Sequence, residues 1–441
     1  MGPQAGWRPR PDQVQPPSRG AADGPMRILV HDYAGHPFEV QLSRALARRG
    51  HQVLHLYSES TVTPRGQLRR LPEDPPSFEV KGLSLGRIIE KHAFVRRFLQ
   101  ERAYGRLLAQ QIENYEPHVV LSANTPTDAR AAALGAMHAV GAGDVVWLQD
   151  IYGLAVDRLL RRKLPVAGAV IGARYVRLER RLLRQADRIV AITSDFLPTL
   201  VKWGIPPERV DVVENWAPLE ELPLMPRDNA WARAHDFVGK TVLMYSGTLG
   251  LKHDPALLLD LARNLLPESH VRVVVISEGP VVDDLKNRAG DLPNMVFMPF
   301  QPYDAMPEVL ASADILLILL ERCADTFSVP SKALTYFCAG RPVLGAMPAA
   351  NLATRLVQGA RAGIVVEPGD RVAFIASARV LLADATCRSE LGRNARAYAE
   401  RAFDIGSIAD RFEVVLAAAG RNYPRAASVS SAGRAWPGMH H

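Results

Sequence analysis

A glycine-containing loop in the second half of the chain carries residue types that suit a phosphate group. It reads Tyr-Ser-Gly-Thr-Leu-Gly-Leu-Lys from Tyr245 to Lys252 and directly follows a short apolar run. Gly247 lets the backbone approach a ligand, and Lys252 adds a mobile positive charge. A phosphate leaving group gains negative charge as its bond breaks, so Lys252 is a candidate catalytic residue. A capped turn with an exposed lysine is the structural alternative.

A proline-serine pair farther along the chain predicts a helix that begins with free backbone N–H groups. Ser331 and Lys332 follow Pro330 and precede an apolar helical pattern, which ends at Gly340. The N terminus of such a helix suits a diphosphate, because its N–H groups and its dipole both favour an anion. An ordinary capped helix without a ligand is the alternative.

Candidate residues in the first half follow apolar runs in the same way. Gly35 and His36 lie in the loop after the first run, where N–H groups at a helix start could meet an anion or a hydroxyl. Asp150 follows the run at 145–148, and its carboxylate could orient or deprotonate an acceptor hydroxyl. A turn glycine, a structural histidine and a turn aspartate remain open for these three positions.

Glu278 and Gly279 end another apolar run in the second half. The Glu278 carboxylate could accept a hydrogen bond from a ligand hydroxyl, or it could serve only as a negative charge at a helix N terminus. The sequence alone leaves both roles open.

The elements that must position these residues follow a regular alternation of short apolar runs and helical patterns. Such alternation predicts an α/β fold with parallel sheets. The rhythm breaks between residues 216 and 227, where three prolines occur, and then restarts. We therefore predict two Rossmann-like, doubly wound domains at 26–222 and 230–400, with a C-terminal helix at 401–420 that returns to the first domain. Ligands would bind in the cleft between the domains. The predicted strands lie at 26–31, 52–58, 119–122, 145–148, 188–193, 210–213, 241–246, 271–277, 295–298, 315–319, 343–346 and 363–366.

Composition narrows the class of protein further. Hydrophobic residues make up 48% of the 441 residues, which is usual for a globular protein, and no apolar run approaches a bilayer-spanning length of about 18 residues. Three cysteines at positions 323, 338 and 387 show no C-x-x-C spacing, which argues against structural zinc and favours a reducing cytosol. Residues 1–25 and 421–441 are expected to be disordered tails, and Met26 is an alternative start.

Positive charge is concentrated in two stretches of the first half. Lys and Arg outnumber Asp and Glu by ten to five from Arg65 to Arg106, and by nine to one from Arg158 to Arg184. Arg174, Arg177 and Arg181 belong to a set spaced to share one helical face. A solvated helix face is the plain interpretation, and attraction to anionic lipid headgroups is the sharper one. No nucleic-acid-binding motif accompanies the charge, so no nucleic acid partner is predicted.

Taken in order, these motifs resemble glycosyltransferase family 4, in particular its colanic-acid and exopolysaccharide branch. The resemblance rests on the first glycine-containing loop, the Ala-Asp-Arg-Ile-Val-Ala-Ile-Thr run that ends at Thr193, the Glu-Asn-Trp that ends at Trp216, and the three second-half motifs. It extends from Met26 to about Ala419. It implies a GT-B fold, a UDP- or GDP-sugar as donor substrate with no cofactor, no essential metal, and retention at the anomeric carbon.

The resemblance also implies roles for individual residues. Lys252 would contact the donor diphosphate, and the backbone at Ser331 and Lys332 would bind its distal phosphate. The loop at Phe300 and Gln301 would frame the base. Thr335 stands where many members of the family carry a ribose-binding glutamate. The segment from Asn394 to Ala419 would form a closing helix.

These observations predict a retaining glycosyltransferase that moves a sugar from a nucleotide-diphosphate sugar to a lipid-linked or saccharide acceptor in cell-surface polysaccharide assembly. It would be cytoplasmic and peripheral on the inner face of the membrane. A non-catalytic sugar-nucleotide or membrane-docking module and a GT-B sugar-nucleotide epimerase are the alternatives.

Overall fold

Two parallel β-sheets organise the chain in a computed structural model that describes residues 24–61, 65–89, 94–163, 165–250, 253–322 and 331–420. The first sheet has seven strands in the order β3-β2-β1-β4-β5-β6-β7. Its strands are β1 Arg27–Asp32, β2 Gln52–Ser58, β3 Phe78–Leu83, β4 Val119–Ala123, β5 Gly143–Leu148, β6 Arg188–Ala191 and β7 Val210–Val212. The second sheet has six strands in the order β10-β9-β8-β11-β12-β13. Its strands are β8 Thr241–Ser246, β9 Val271–Ile276, β10 Met295–Met298, β11 Ile315–Leu319, β12 Val343–Ala346 and β13 Gly363–Val366.

Helices connect the strands of each sheet and cover its faces, as parallel pairing requires. The helices of the first half are α1 Pro37–Arg48, α2 Phe94–Tyr115, α3 Thr127–Ala139, α4 Tyr152–Lys163, α5 Pro165–Gln185 and α6 Leu197–Lys202. Those of the second half are α7 Ala230–Ala234, α8 Ala256–Asn264, α9 Pro280–Ala289, α10 Met306–Ala311, α11 Ser331–Cys338, α12 Leu352–Gly359, α13 Arg371–Ala383, α14 Ala385–Ala402 and α15 Ile405–Gly420. Single 3₁₀ turns lie at Ser194–Phe196, Pro207–Arg209, Leu219–Glu221 and Tyr303–Ala305.

The predicted pair of doubly wound α/β domains is confirmed. One strand, β3, was missed because its sequence, Phe-Glu-Val-Lys-Gly-Leu, alternates charged and apolar residues and contains a glycine. Glu79 and Lys81 are exposed, as befits the edge of a sheet, where a strand has only one neighbour.

The C-terminal part of the chain packs on the first sheet. Phe412 of α15 lies with its ring centroid 4.7 Å from that of Trp147 in β5, and Trp147 stacks on Trp216 at 5.5 Å. The helix predicted at 401–420 corresponds to α15, whereas the segment from Asn394 to Ala419 is not one continuous helix, because the chain breaks at Phe403 and Asp404. The Asp404 side chain accepts a hydrogen bond from the backbone N–H of Ser407 at 2.7 Å and so begins the last helix.

Two arginines connect the halves of the molecule at the level of the linker. Arg396 of α14 donates to the backbone oxygens of Leu222 and Cys338, at 3.0 and 2.8 Å. Arg355 of α12 pairs with Asp195, which follows β6, at 2.5 Å. The Arg355–Asp195 pair therefore joins segments that follow β12 and β6, and Arg396 joins α14 to the linker.

None of the described helices combines the length and the apolarity needed to cross a bilayer.

Candidate functional site

Each sheet has one point where the strand order reverses, and the loops at such points bind ligands in open α/β folds. In the second sheet this point lies between β8 and β11, and in the first it lies between β1 and β4. The loop at Gly247 follows β8, and the loop at Gly35 follows β1. Both glycine-containing loops singled out in the sequence thus begin at a reversal point.

In the second domain, the Lys332 side chain fills the turn that Gly247 makes. Its ammonium nitrogen lies 3.9 Å from the ring centroid of Tyr245, and it donates hydrogen bonds to the Tyr245 hydroxyl and to the backbone oxygen of Thr248, the latter at 3.1 Å. Gly247 has a φ of +124°, and a β-carbon there would stand only 2.5 Å from Cε of Lys332. Glycine therefore suits the positive φ, and a larger residue would also displace the end of the Lys332 side chain.

The charge on Lys332 is poorly solvated. Burial lowers the pKa of Lys332 to about 7, because water no longer stabilises the ammonium form. Among the described residues, no carboxylate forms an ion pair with it. A poorly solvated cation is stabilised when an anion binds beside it.

Helix α11 is fixed against β8 by its first two turns. The Tyr336 hydroxyl accepts from the backbone N–H of Ser246 at 3.1 Å and lies 3.2 Å from the Ser246 carbonyl oxygen. Ser331 is exposed at the start of the helix, and Thr335 is half-buried one turn later, with its hydroxyl 3.4 Å from the Ser331 carbonyl oxygen. The N terminus of α11 is thereby held beside the Gly247 loop.

The ends of β9 and β10 add a second group of predicted residues. The exposed Glu278 carboxylate accepts a hydrogen bond from the backbone N–H of Phe300 at 3.0 Å, and Gly279 begins α9 with a φ of +110°. The Phe300 ring is 42% exposed. The side-chain oxygen of Gln301, in contrast, accepts a hydrogen bond from the indole N–H of Trp231 at 3.0 Å. This oxygen is therefore bonded within the protein.

Two parts of the predicted donor site lie outside the described residues. Lys252 is one, and the segment 323–330 that precedes α11 is the other. The role predicted for Lys252 stays a prediction.

In the first domain, Asp150 lines a cavity of about 200 Å³ at the carboxyl ends of β4 and β5. Asp150 itself is exposed at the mouth of the cavity. The cavity wall also includes Arg97 of α2, Asn124 after β4, Tyr152 of α4 and Glu179 of α5. Polar groups from four elements therefore converge on one space large enough for part of a sugar.

Glu179 is the buried carboxyl of this cavity. It accepts hydrogen bonds from the backbone N–H groups of Tyr152 and Gly153 at 2.9 and 2.8 Å, and so caps the N terminus of α4. Burial raises the pKa of Glu179 to about 7, and the neighbouring charge of Asp150 adds to that rise. The group can therefore hold or release a proton near neutral pH.

Gly35 and His36 lie beside a different set of acidic groups. Gly35 has a φ of +79° and donates its N–H to the Asp32 carboxylate at 2.7 Å. Nδ1 of His36 is 3.8 Å from Asp32 and 3.9 Å from Glu39. Burial raises the pKa of Glu39 well above its usual range, and the adjacent Asp32 adds to the effect. His36 is not among the residues that line the cavity at Asp150.

Sequence reasoning missed several of these polar groups. The sequence predicted no role for the side chains of Tyr245, Tyr336, Glu179 and Glu39. Arg65 and Arg97, counted in a basic stretch, turn inward: Arg65 donates to the backbone oxygen of Ser58 at 2.8 Å, and Arg97 pairs with Glu101 at 2.7 Å. Only the spatial neighbours reveal these roles.

Comparison with known proteins agrees with the two-domain organisation. Residues 40–216 match the family described as glycosyl transferase 4-like domain, and residues 240–384 match glycosyl transferases group 1. The colanic acid biosynthesis glycosyl transferase WcaI of Escherichia coli strain K12 is 27% identical over 283 residues, which cover 62% of this chain and 67% of WcaI. The glycosyltransferase WbjE of Pseudomonas aeruginosa is 27% identical over 205 residues, which cover 45% of this chain and 51% of WbjE. The alignments thus span between half and two thirds of these relatives.

Solved structures show the same fold. HepE of Anabaena, crystallised in complex with UDP-glucose, superposes with a TM-score of 0.64 at 16% identity over 88% of this chain and 98% of HepE. WaaG, a glycosyltransferase involved in lipopolysaccharide biosynthesis, superposes with a TM-score of 0.63 at 17% identity over 88% of this chain and 99% of WaaG. At these identities the likeness concerns the fold, which is that of GT-B.

Proposed function

The chain belongs to the glycosyltransferases that join a glycosyl transferase 4-like domain to a group 1 domain in a GT-B fold, and we propose that it moves a sugar from a nucleotide-diphosphate sugar to a lipid-linked acceptor. The donor is a UDP- or GDP-sugar bound by the second domain, and the acceptor is bound by the first. The product is an intermediate of cell-surface polysaccharide assembly.

The observation that carries the proposal is the desolvated Lys332 at the turn of Gly247. Its ammonium lies at the N terminus of α11 and at the reversal point of the second sheet, where an anion is favoured by charge, by helix dipole and by fold. A diphosphate leaving group gains negative charge in the transition state and needs such compensation. We therefore assign Lys332 as the positive charge at the donor diphosphate. Lys252 is the second cation, and the backbone N–H groups of Ser331 and Lys332 are further hydrogen-bond donors.

The remaining donor contacts follow from the same loops. The exposed ring of Phe300 can stack on a base, and Glu278, which fixes the backbone of Phe300, holds that ring in place. The half-buried hydroxyl of Thr335 lies one turn into α11 and can bond a ribose hydroxyl. Gln301 is assigned to the support of this loop, since its amide is bonded to Trp231.

The acceptor hydroxyl enters at the cavity of the first domain. Asp150, exposed at its mouth, takes the hydroxyl proton while the anomeric carbon–oxygen bond to the diphosphate breaks and the new carbon–oxygen bond forms on the same face of the sugar. The nucleoside diphosphate leaves with the electron pair of the broken bond. This sequence retains the configuration at the anomeric carbon.

The helices around that cavity also carry the surface that supports a lipid-linked acceptor. Val166 and Val170 on α5 are 81% and 69% exposed, which is unusual for valine. The arginines farther along the same helix are exposed as the sequence predicted, namely Arg174, Arg177, Arg180, Arg181 and Arg184. A peripheral membrane segment has this composition. Its apolar residues enter the lipid interface, and its neighbouring cations bind anionic headgroups.

The test is to incubate the purified chain with UDP-, GDP- and ADP-sugars, with and without a bacterial membrane extract, and to follow each donor by ¹H NMR. A transferase consumes one donor only when the extract is present, and the sugar then appears in the lipid fraction. The anomeric coupling constant of the product reports retention. Conversion of a donor without the extract would instead indicate an epimerase, and saturable binding without conversion in either tube would indicate a non-catalytic module.

A further inference from the structure

Two carboxylates are buried side by side where β1 ends. Asp32, the last residue of β1, and Glu39, in the first turn of α1, are both 0% exposed. His36 lies between them in sequence and over them in space, and the three side chains place one ligand atom each within 4.8 Å of one another. Among the described residues, neither carboxylate forms an ion pair with a lysine or an arginine. Two buried acids without a basic partner are costly unless one of them holds a proton or a cation lies between them.

Half of the hydrogen-bonding capacity of this cluster is unused. One oxygen of Asp32 accepts from the N–H groups of Ala34 and Gly35, and one oxygen of Glu39 accepts from the side chain of Asn124. The second oxygen of each carboxylate is buried without a hydrogen-bond partner, and so is Nδ1 of His36. These three unpartnered atoms are all acceptors or potential metal ligands.

His55 of β2 supplies an independent observation on the other side of Asp32. The Ser43 hydroxyl lies 2.8 Å from Nδ1 of His55 and 3.2 Å from the backbone oxygen of Glu39, so it bonds one ring nitrogen of His55. The other ring nitrogen is Nε2. That atom is fully buried, has no hydrogen-bond partner, and faces the unpartnered oxygen of Asp32 at 3.9 Å. A proton or a cation between them would satisfy both atoms.

We propose that Asp32, His36 and Glu39 bind one first-row divalent cation. Nδ1 of His36 lies 3.8 Å from the Asp32 carboxylate and 3.9 Å from the Glu39 carboxylate, which fits a shared ion, since each ligand lies about 2.0–2.2 Å from zinc. Two carboxylate oxygens with one imidazole nitrogen suit Zn²⁺ or Mn²⁺ better than Ca²⁺ or Mg²⁺, which prefer oxygen alone.

The ion ties the end of β1 to the first turn of α1 and so holds the Gly35 loop. One ligand is already oriented by a neighbour, because the Asn124 amide donates a hydrogen bond to the Glu39 carboxylate at 2.9 Å. The site does not depend on the proposed transfer reaction, which is assigned to other side chains.

The experiment is a titration of the full-length protein, stripped with EDTA and dialysed, with Zn²⁺ and in parallel with Mn²⁺, followed by calorimetry and by elemental analysis after gel filtration. Three variants are compared with the wild type. His36→Ala removes a ligand that is 35% exposed and leaves the fold intact, and Glu39→Gln keeps an oxygen for Asn124. His138→Ala removes an exposed histidine of α3 as the control.

We expect about one ion per chain in the wild type and in His138→Ala, with affinity weakened by about tenfold or more in the other two variants. Thermal unfolding gives a second readout: the ion raises the Tm of the wild type and of His138→Ala but not that of His36→Ala. Equal metal content and affinity in the wild type and in His36→Ala would overturn the proposal. So would a wild type that takes up neither metal, which would show that a proton alone occupies the cluster.

Discussion

The ammonium of Lys332 lies over the ring of Tyr245, 3.9 Å from its centroid, although 87 residues separate the two in sequence. The contact places a poorly solvated positive charge at the turn of Gly247. We expect Lys332→Met to lower kcat/KM for the nucleotide sugar by about 10²- to 10³-fold, the range seen when one stabilising group is removed from a transition state. Tyr245→Phe keeps the ring and removes only the hydroxyl, so its effect should be much smaller. Equal activity of Lys332→Met and the wild type would exclude this lysine from the donor site.

The same lysine predicts how donor affinity depends on pH. Because the pKa of Lys332 is lowered to about 7 in the free protein, the side chain loses its charge as the pH rises from 7 to 9. A bound diphosphate favours the charged form and raises this pKa, so binding above pH 7 takes up a proton. Donor affinity should therefore fall by up to about tenfold per pH unit over this window. Calorimetry in buffers of different ionisation enthalpy measures the proton uptake. Lys332→Arg, which stays charged, should show a flat profile.

We expect alanine substitutions at Gly247 and at Gly250, two glycines of one loop, to differ in stability and in donor binding. Gly247→Ala forces a φ of +124° on alanine and directs its methyl group at Cε of Lys332, 2.5 Å away. The strained backbone should lower the free energy of unfolding by about 1–3 kcal/mol, and the displaced lysine should weaken donor binding. Gly250→Ala is the matched control, because a β-carbon there meets nothing within 4 Å. Urea unfolding and donor titration of both variants decide the question, and identical behaviour would contradict the assigned role of Gly247.

Glu179, in the first domain, should make the free energy of unfolding depend on pH. Its pKa is raised to about 7 in the folded protein, so the folded state binds a proton that the unfolded state has released. The contribution of this group is therefore present at low pH and is lost as the pH rises from about 4.5 to 7. Glu179→Gln lacks this titration. The free energy of unfolding of the variant relative to the wild type should rise over that window in urea melts. A constant difference from pH 4.5 to 8 would contradict the shifted pKa.

The exposed valines of α5 predict which surface meets the membrane. Val166→Asp with Val170→Asp places two negative charges on the apolar face and should weaken binding to anionic vesicles by about tenfold or more, without loss of fold. Val372→Asp in α13 is the control, since Val372 is also 81% exposed but lies in the second domain. Flotation with vesicles at rising salt measures both, because electrostatic binding is screened by salt. Equal binding of the two variants would place the membrane surface elsewhere.

The sequence was sufficient to predict most of the fold, because buried parallel strands are short apolar runs that stand out between helical patterns. Strand β3 escaped because Glu79 and Lys81 interrupt its apolar character at the sheet edge. The break between α14 and α15 at Phe403 and Asp404 lies close to the boundary predicted between residues 400 and 401.

The sequence predicted the candidate site only where a functional feature lies within one short segment. Gly247 and the start of α11 could be found, since a glycine turn and a helix N terminus are local features. The contact of Lys332 with Tyr245 could not be found, because it depends on how α11 packs against β8. The approach of His55 to Asp32 likewise depends on the parallel register of β1 and β2, which pairs Val30 with His55.

One assay tests both domains together: transfer of radiolabelled sugar from the nucleotide donor to lipid-linked acceptor, presented in anionic vesicles or in detergent. We expect Lys332→Met to lose transfer in both settings, because the donor site itself is impaired. Val166→Asp with Val170→Asp should lose transfer from vesicles and keep it in detergent, because only access to the membrane is impaired. Full transfer by Lys332→Met, or equal losses of the valine variant in vesicles and detergent, would contradict these assignments.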